Sequence, residues 1–338
     1  MGISSSKSVP FDPRADIPLL SGKVILVTGG NAGLGKQSII ELARHEPSEI
    51  WLTTRDPRKG EAARRDVQSQ VPGAVIRVLE LDLSSLDSVS AAAQAFLSSA
   101  SRLDILLLNA GVGGSPPGLT SDGYEIYFGT NHLGHALLTK LLTPLLLQTA
   151  EQQKAENEAK DYVHAEKTPD VRVVVLTSIM MSWAPPGGIQ FNKLNTPLGE
   201  IGTSFTLYGQ SKLANTVFAR YLAKDYPQLT VAAVHPGVVS TGIADKTAQH
   251  NTWARFLLPA ASPFMLTVEE GVKNQLWAST SKDVISGEFY TPVGVRGNAT
   301  KLASDDALAG RLREWTEAEL EKYHAKTSVL EHNRSEHP

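Results

Sequence analysis

The stretch KVILVTGGNAGLG, from Lys23 to Gly35, decides how the rest of the chain is read. Val24 to Val27 form a short apolar run rich in β-branched residues, as do strands of a buried parallel sheet. Thr28 leads straight into a glycine turn, and an amphipathic helical segment over 34–46 follows. Glycines allow a tight turn and a close approach of backbone to a pyrophosphate. The helix behind them offers free N–H groups and the positive end of its dipole to the phosphates. The spacing of Gly29, Gly33 and Gly35 is G-x-x-x-G-x-G, not the G-x-G-x-x-G of the usual dinucleotide fingerprint, and alone it is a weak signal. Its place at the first strand-to-helix turn is what points to a dinucleotide.

The same alternation repeats along the chain. Strands are expected over 23–28, 49–54, 74–80, 103–108, 171–177, 229–234 and 287–290, and helices over 34–46, 57–70, 86–99, 122–150, 205–225, 268–280 and 305–324. Asp56-Pro57 reads as an N-cap with proline at the first helical position, and Ser84 with Asp87 as a capping box. Residues 151–170, polar and Ala-rich, read as a continuation of the preceding helix or a solvated loop. With no internal repeat and no break in composition, the pattern predicts an α/β fold: a single-domain Rossmann-type doubly wound parallel sheet of about seven strands with helices on both faces. Residues 1–20 are expected to be an N-terminal leader and 21–338 the domain.

Of the 338 residues 41% are hydrophobic and 20% charged, which excludes a disordered, collagen-like or coiled-coil chain. Lys and Arg number 32 against 35 Asp and Glu, so no basic field draws nucleic acid as a partner. The absence of cysteine excludes disulfides, zinc–thiolate sites, iron–sulfur clusters and a thiol nucleophile. No His/Asp/Glu cluster has metal-ligand spacing, so no metal is expected. The most apolar stretches, Leu137–Leu147 and Trp253–Val268, fall short of the roughly 20 residues of a membrane span. Met1-Gly2-Ile3-Ser4-Ser5-Ser6-Lys7 fits the N-myristoylation pattern as well as a Ser-rich leader. The expected location is cytoplasmic, with weak peripheral membrane association if Gly2 is acylated.

An NAD site commonly has an acid at the end of the second strand to hold the ribose 2′-hydroxyl. Here that strand ends Thr53-Thr54-Arg55, and a guanidinium suits a 2′-phosphate. Asp56 is the competing acid, but its place before Pro57 is explained by helix capping. NADP(H) is therefore favoured over NAD(H), and Lys36 and Lys59 read equally well as further positive charges nearby or as ordinary solvated side chains. Farther on, Tyr208 and Lys212 stand at i and i+4, on one face of a helix. Such a pair arises by chance. It gains meaning from Ser178, at the end of strand 171–177, and Asn131, after strand 103–108, because ligands of open parallel sheets sit outside the carboxyl ends of the strands.

Together these residues resemble the short-chain dehydrogenase/reductase family. The likeness rests on Thr28 to Gly35, Asp82-Leu83, Asn109-Ala110-Gly111, Asn131, Ser178, Tyr208 with Lys212, and His235-Pro236-Gly237-Val238, in the family's order over residues 20–290. WLTTRDPRKGEAA (51–63), TNHLGHALLT (130–139) and YGQSKLANTVFA (208–219) are similar to the retinol dehydrogenase-like and WW-domain oxidoreductase-like branch. GEFYTPVGV (287–295) is similar to fungal members of that branch. Two features depart from the pattern: Leu108 precedes Asn109 where many members have a second asparagine, and the long interval from Ser178 to Tyr208 requires an inserted loop.

The resemblance implies an enzyme with Asn131, Ser178, Tyr208 and Lys212 as catalytic residues, transferring a hydride between nicotinamide and a carbonyl or alcohol carbon. Tyr208 would exchange the proton, and Lys212 would lower its pKa and hold the nicotinamide ribose. Ser178 would bond the substrate oxygen, and Asn131 would hold a water linking Lys212 to solvent. An ammonium about 4 Å from a phenol contributes roughly 4 kcal/mol at an effective dielectric near 20, about 3 pKa units, which would bring Tyr208 from about 10 to near 7. Cofactor contacts carried over by motif are Gly29, Gly33, Leu34, Gly35, Arg55, Asp82, Leu83, Asn109, Ala110, Gly111, Tyr208, Lys212, Pro236, Gly237, Val238 and Thr241. Asp82 would accept from the adenine amino group or serve as a turn residue before Ser84. His132, His135 and His235 are expected to serve packing or local hydrogen bonds.

Val112–Leu119 and the loops 179–205 and 240–268 are left to wall the substrate pocket. Their Met180, Met181, Trp183, Phe191, Phe205, Trp253, Phe256, Phe264 and Met265 favour a small apolar ketone, aldehyde or secondary alcohol, and the resemblance to fungal members implies a role in fungal secondary metabolism. Family members are commonly homo-oligomers built on the helices after the fourth and fifth strands, a packing that the long 122–170 segment could obstruct. The alternative from another class is a non-catalytic NADP(H)-sensing or scaffolding protein on the same fold. An epimerase or dehydratase of the extended branch is disfavoured, since neither G-x-x-G-x-x-G nor a larger substrate domain is present.

Overall fold

The computed structural model describes residues 8–116, 118–159, 169–197, 203–239 and 265–336. Apolar strand runs pair into a sheet of 7 strands, all parallel, in the order β3-β2-β1-β4-β5-β6-β7. These are β1 (Val24–Val27), β2 (Glu49–Thr54), β3 (Ile76–Glu80), β4 (Ile105–Leu108), β5 (Arg172–Leu176), β6 (Thr230–Val234) and β7 (Phe289–Tyr290). β1 lies between β2 and β4, with Val27 opposite Leu52 on one side and Leu107 on the other. The chain reverses its progress across the sheet there, which opens a crevice at the carboxyl ends of β1 and β4.

Among the described residues the α-helices are α1 (Pro13–Asp16), α2 (Gly33–Ala43), α3 (Pro57–Gln70), α4 (Leu86–Leu97), α5 (Ile126–Phe128), α6 (Gly134–Ala159), α7 (Ser204–Asp225), α8 (Val268–Gly271), α9 (Lys273–Thr280) and α10 (Asp306–Glu336). Alternate strand residues feed opposite faces. Leu26, Leu106, Val173 and Val231 pack with Val89 and Phe96 of α4, Leu137 of α6, Val217 of α7 and Leu312 of α10. Ile25, Val27, Leu107 and Val234 pack with Ile39 and Leu42 of α2, Val67 of α3 and Leu276 of α9. Each fully buried aliphatic side chain of this kind contributes about 1.5–3 kcal/mol, so two complete faces hold the crevice rigid.

Local chemistry sets several boundaries apart from the expected ones. Asp56 caps α3 as predicted, its Oδ1 accepting from Arg58 and Lys59 N–H. The cap of α4 is Ser85 rather than Ser84: Ser85 Oγ accepts from Ser88 N–H at 3.2 Å, whereas Ser84 bonds back to Asp82. The helix expected over 122–150 starts late and is irregular. Glu125 begins it by accepting from Tyr127 and Phe128 N–H, and a π-turn, Gly129–Leu133, joins α5 to α6. α6 runs on to Ala159, and the C-terminal helix extends to Glu336.

Val9 to Leu20 pack onto the body: Val9 N–H bonds the Val293 carbonyl at 2.9 Å, and Ile17 and Leu20 are buried with the second core. Gly2, Thr241, Trp253, Phe256, Phe264 and the loop parts 198–202 and 240–264 lie outside the described residues. Among the described residues no helix is long and apolar enough to cross a membrane. A cavity of about 310 Å³, lined by Arg44, Pro47, Ile50, Val71, Gly73 and Ile76, opens at the amino ends of β2 and β3, away from the crevice.

Candidate functional site

The residues singled out in sequence gather at the carboxyl ends of successive strands: the glycine turn after β1, Arg55 after β2, Asp82 and Leu83 after β3, Asn109–Gly111 after β4, Ser178 after β5 and Pro236–Val238 after β6. α2 starts from Ala32, which supplies no side-chain cap, so its first N–H groups are left for an anion. At Gly35 an added Cβ would stand 2.4 Å from the Gly29 carbonyl and 2.6 Å from Asn109 Nδ2, so only glycine lets the turn close. Asn109 holds that turn, its Nδ2 donating to the Thr28 carbonyl at 2.8 Å. Arg55 is exposed and has no hydrogen-bond or ion-pair partner among the described residues. Lys36 is different, since its ammonium is taken by Asp66 at 2.6 Å. Asp82 Oδ1 is engaged by Ser84 N–H and Oγ, and Leu83 is buried against Gly134 at the start of α6. This geometry, an uncapped helix N-terminus behind a turn built on Gly29, Gly30 and Gly33, fits a dinucleotide pyrophosphate.

On the other side of the crevice, Tyr208 and Lys212 lie one turn apart on α7, and Lys212 Nζ sits 5.5 Å from the Tyr208 ring centre. Lys212 Nζ donates to the Leu176 carbonyl at 3.1 Å. A Cβ on Gly111 would lie 3.2 Å from Asn131 Oδ1 and 3.6 Å from Lys212 Nζ, so these groups converge. The Asn131 amide is fully donated, to the Val112 carbonyl at 3.1 Å and Ser211 Oγ at 3.0 Å, and its Oδ1 accepts from Val112 N–H at 2.7 Å. Ser178 Oγ accepts from Met180 N–H, and among the described residues its own O–H has no acceptor and is available to donate. At Gly209, beside Tyr208, a Cβ would stand 2.6 Å from the Met180 carbonyl and 2.9 Å from the Trp183 backbone. That close approach seats the turn after Ser178 directly on α7.

Residues 23–156 match the family model for short chain dehydrogenase. The chain is 37% identical over 318 residues to the short-chain dehydrogenase/reductase drtF of Aspergillus calidoustus, covering 90% of this chain and 96% of that one. The chain belongs to the short-chain dehydrogenase family. Retinol dehydrogenase 12 of Mus musculus is also similar, 35% identical across 80% of this chain and 78% of its own length. Among solved structures, a protein of Mycobacterium paratuberculosis matches with a TM-score of 0.66 at 29% identity, over 90% of this chain and 96% of that one.

In this short-chain dehydrogenase the electrostatics of the pair run opposite to what helical spacing implies. Burial pushes the Tyr208 phenol up to about 12, with Tyr127 adding in the same direction, and does not leave it near 7. Burial also brings Lys212 down to about 8. The ammonium is aimed at the Leu176 carbonyl and lies beside the Tyr208 ring, so desolvation prevails over charge attraction. The neighbours that hold the site are Tyr127, whose ring meets Tyr208 edge-on at 6.2 Å, and Ser211, bonded to Asn131. Their signal in the sequence was spacing alone: Tyr127 is four residues before Asn131, and Ser211 adjoins Lys212.

The pocket aromatics divide. Trp183 stays 55% exposed and meets Phe205 edge-on at 5.7 Å, and Ile179, Val238 and Leu266 are exposed apolar residues. Met181 and Phe191, expected in the pocket, instead cover the core: Met181 Sδ accepts from Thr216 on α7, and Phe191 packs on Trp315 with Arg311 over its ring.

Proposed function

We propose that this dehydrogenase is an NADP(H)-dependent oxidoreductase acting on an apolar ketone, aldehyde or secondary alcohol, with Asn131, Ser178, Tyr208 and Lys212 as its catalytic residues. The convergence of Lys212, Asn131 and Gly111 beside Tyr208 carries the assignment. NADP(H), held by the glycine turn, Asn109–Gly111 and Pro236–Val238, supplies or accepts the hydride. Ser178 donates its hydroxyl hydrogen to the substrate oxygen. Tyr208, neutral at physiological pH because burial holds its pKa high, gives its proton to that oxygen as it gains charge. Lys212, fixed to the Leu176 carbonyl, keeps positive charge beside the phenol as the phenolate forms.

Preference for the phosphorylated cofactor is supported by Arg55, which is exposed and has no partner among the described residues, and by Asp56, whose carboxylate serves as the cap of α3. The exposed apolar residues Ile179, Trp183 and Val238 next to the site support an apolar substrate. So does the likeness to an enzyme named for retinol, and the likeness to the Aspergillus enzyme supports a fungal secondary metabolite. The test is consumption of NADPH and NADH by the purified protein against a panel of apolar aldehydes and ketones, beside Tyr208→Phe and Arg55→Leu. Turnover should collapse in the first variant. In the second only the NADPH reaction should weaken, by roughly 10- to 100-fold for a charge-assisted bond of about 1.5–3 kcal/mol. NADPH binding without turnover on any carbonyl would favour a sensing or scaffolding role.

A further inference from the structure

Asn131 lies in the π-turn between α5 and α6, where the Gly134 N–H bonds the Gly129 carbonyl. Such turns re-aim groups inside a helix and are frequent at functional sites. The Asn131 carbonyl meets the imidazole of His135, with Nδ1 at 3.0 Å. The other ring nitrogen, Nε2, lies 2.9 Å from Thr28 Oγ1. Thr28 and His135 are both buried, at 0% and 1% exposure, so bulk water does not compete for these bonds.

The partners fix the proton positions. A carbonyl oxygen can only accept, so Nδ1 carries the hydrogen, and a neutral imidazole then has a bare Nε2. The Thr28 hydroxyl therefore donates to Nε2, while its oxygen accepts the Ala110 N–H at 2.9 Å. Three hydrogen bonds thus run in one direction, from Ala110 in the loop after β4, through the end of β1, to the π-turn. Bonds aligned in this way polarise one another. Burial keeps the ring neutral, drawing its pKa down to about 4, and the nearby Lys212 charge acts in the same sense.

We propose that His135 is a positioning residue for hydride transfer: it fixes the Asn131 carbonyl and the π-turn beside Lys212 in register with the Thr28 strand end and the Ala110–Gly111 loop. That role depends on the proton transfer proposed for Tyr208 and Lys212. His135 itself moves no proton. It is a strut with one donor and one acceptor, each matched to a single partner on a different element.

The test compares His135→Asn, His135→Gln and His135→Leu in the full chain. Asparagine keeps an N–H near the place of Nδ1 and retains the bond to Asn131. Glutamine reaches toward Thr28 and gives up Asn131, and leucine gives up both. With NADPH and an accepted carbonyl, kcat should fall roughly 10- to 100-fold in the Gln and Leu variants, the effect of a small misplacement of reacting groups. KM should stay near the parent value, and His135→Asn should recover most of the rate. Parental kcat in the Gln and Leu variants overturns the proposal. Equal loss in the Asn and Leu variants, or loss confined to KM, also overturns it, because the imidazole would then serve only packing. NADPH binding by each variant confirms that it folds, and the Asn–Gln comparison decides should leucine prevent folding. Full activity in Tyr208→Phe would sink the proton-transfer reading instead.

Discussion

Glu125 is a carboxylate with no exposure, and replacing it with glutamine should change how stability depends on pH. Its two oxygens accept from Tyr127 N–H at 3.0 Å and Phe128 N–H at 2.8 Å. Those bonds favour the charged form, but burial prevails and raises the carboxyl from 4.5 to about 7. The folded-state pKa is therefore above the unfolded one, so the folded protein holds the proton more tightly. The resulting stability is fully present below about pH 4.5 and is lost as pH rises toward 7. A shift of about 2.5 units at 1.36 kcal/mol per unit gives about 3.4 kcal/mol in all, of which about 2.5 kcal/mol falls between pH 5 and 8. Glu125→Gln cannot titrate. Urea unfolding of parent and variant from pH 5 to pH 8 should show the parent losing about 2.5 kcal/mol relative to the variant across that range. Parallel curves, or a difference of opposite sign, would refute the assignment of a protonated, buried Glu125.

Three buried histidines act the other way. Burial depresses His132 to about 3 and His135 and His235 to about 4, so the unfolded chain takes up protons first as pH falls below about 6.5. Each should remove about 2 kcal/mol by pH 5, and the slope should be steepest in the Glu125→Gln background, where nothing opposes it; a flat profile there would contradict their burial as neutral rings. Gly209→Ala should lower both stability and kcat, since the Met180 carbonyl and Trp183 backbone leave no room for the methyl. Overpacking of this kind costs about 1–3 kcal/mol, and unchanged melting with unchanged turnover would show that the turn after Ser178 is not seated on α7.

The strands were legible because a parallel sheet covered on both faces leaves continuous apolar runs such as Val24–Val27 and Ile105–Leu108. The crevice was legible because the glycine turn, Ser178 and Tyr208 each stand at a strand end or one helix face. What escaped depends on pairs distant in the chain. The Thr28–His135 bond spans 107 residues, so nothing local marked that histidine for more than packing or a local hydrogen bond. The tyrosine pKa is not legible because helical spacing gives a charge separation but not the desolvation of the buried phenol, which dominates here. Phe191 looked like a pocket residue only because Trp315, its partner, lies beyond the region that carries the family likeness.

The segment from Tyr124 to His135 shows why an irregular helix stands at this place. Residues four apart share a face, and two such ladders run side by side. Tyr124, Phe128 and His132 meet α10, through Glu319 at 2.7 Å, the Trp315 ring at 5.4 Å and Thr316 Oγ1 at 3.1 Å. Tyr127, Asn131 and His135 meet the site, through the Tyr208 ring, Ser211 and Thr28. Glu125 ties the two ladders together by accepting from Tyr127 N–H and Phe128 N–H, one residue of each. Each ladder is one residue from the other, so α10 and the site pack on two adjoining faces of the same short segment. The C-terminal helix, which carries none of the residues the family motif marks, is for that reason part of what holds the proposed catalytic asparagine in place.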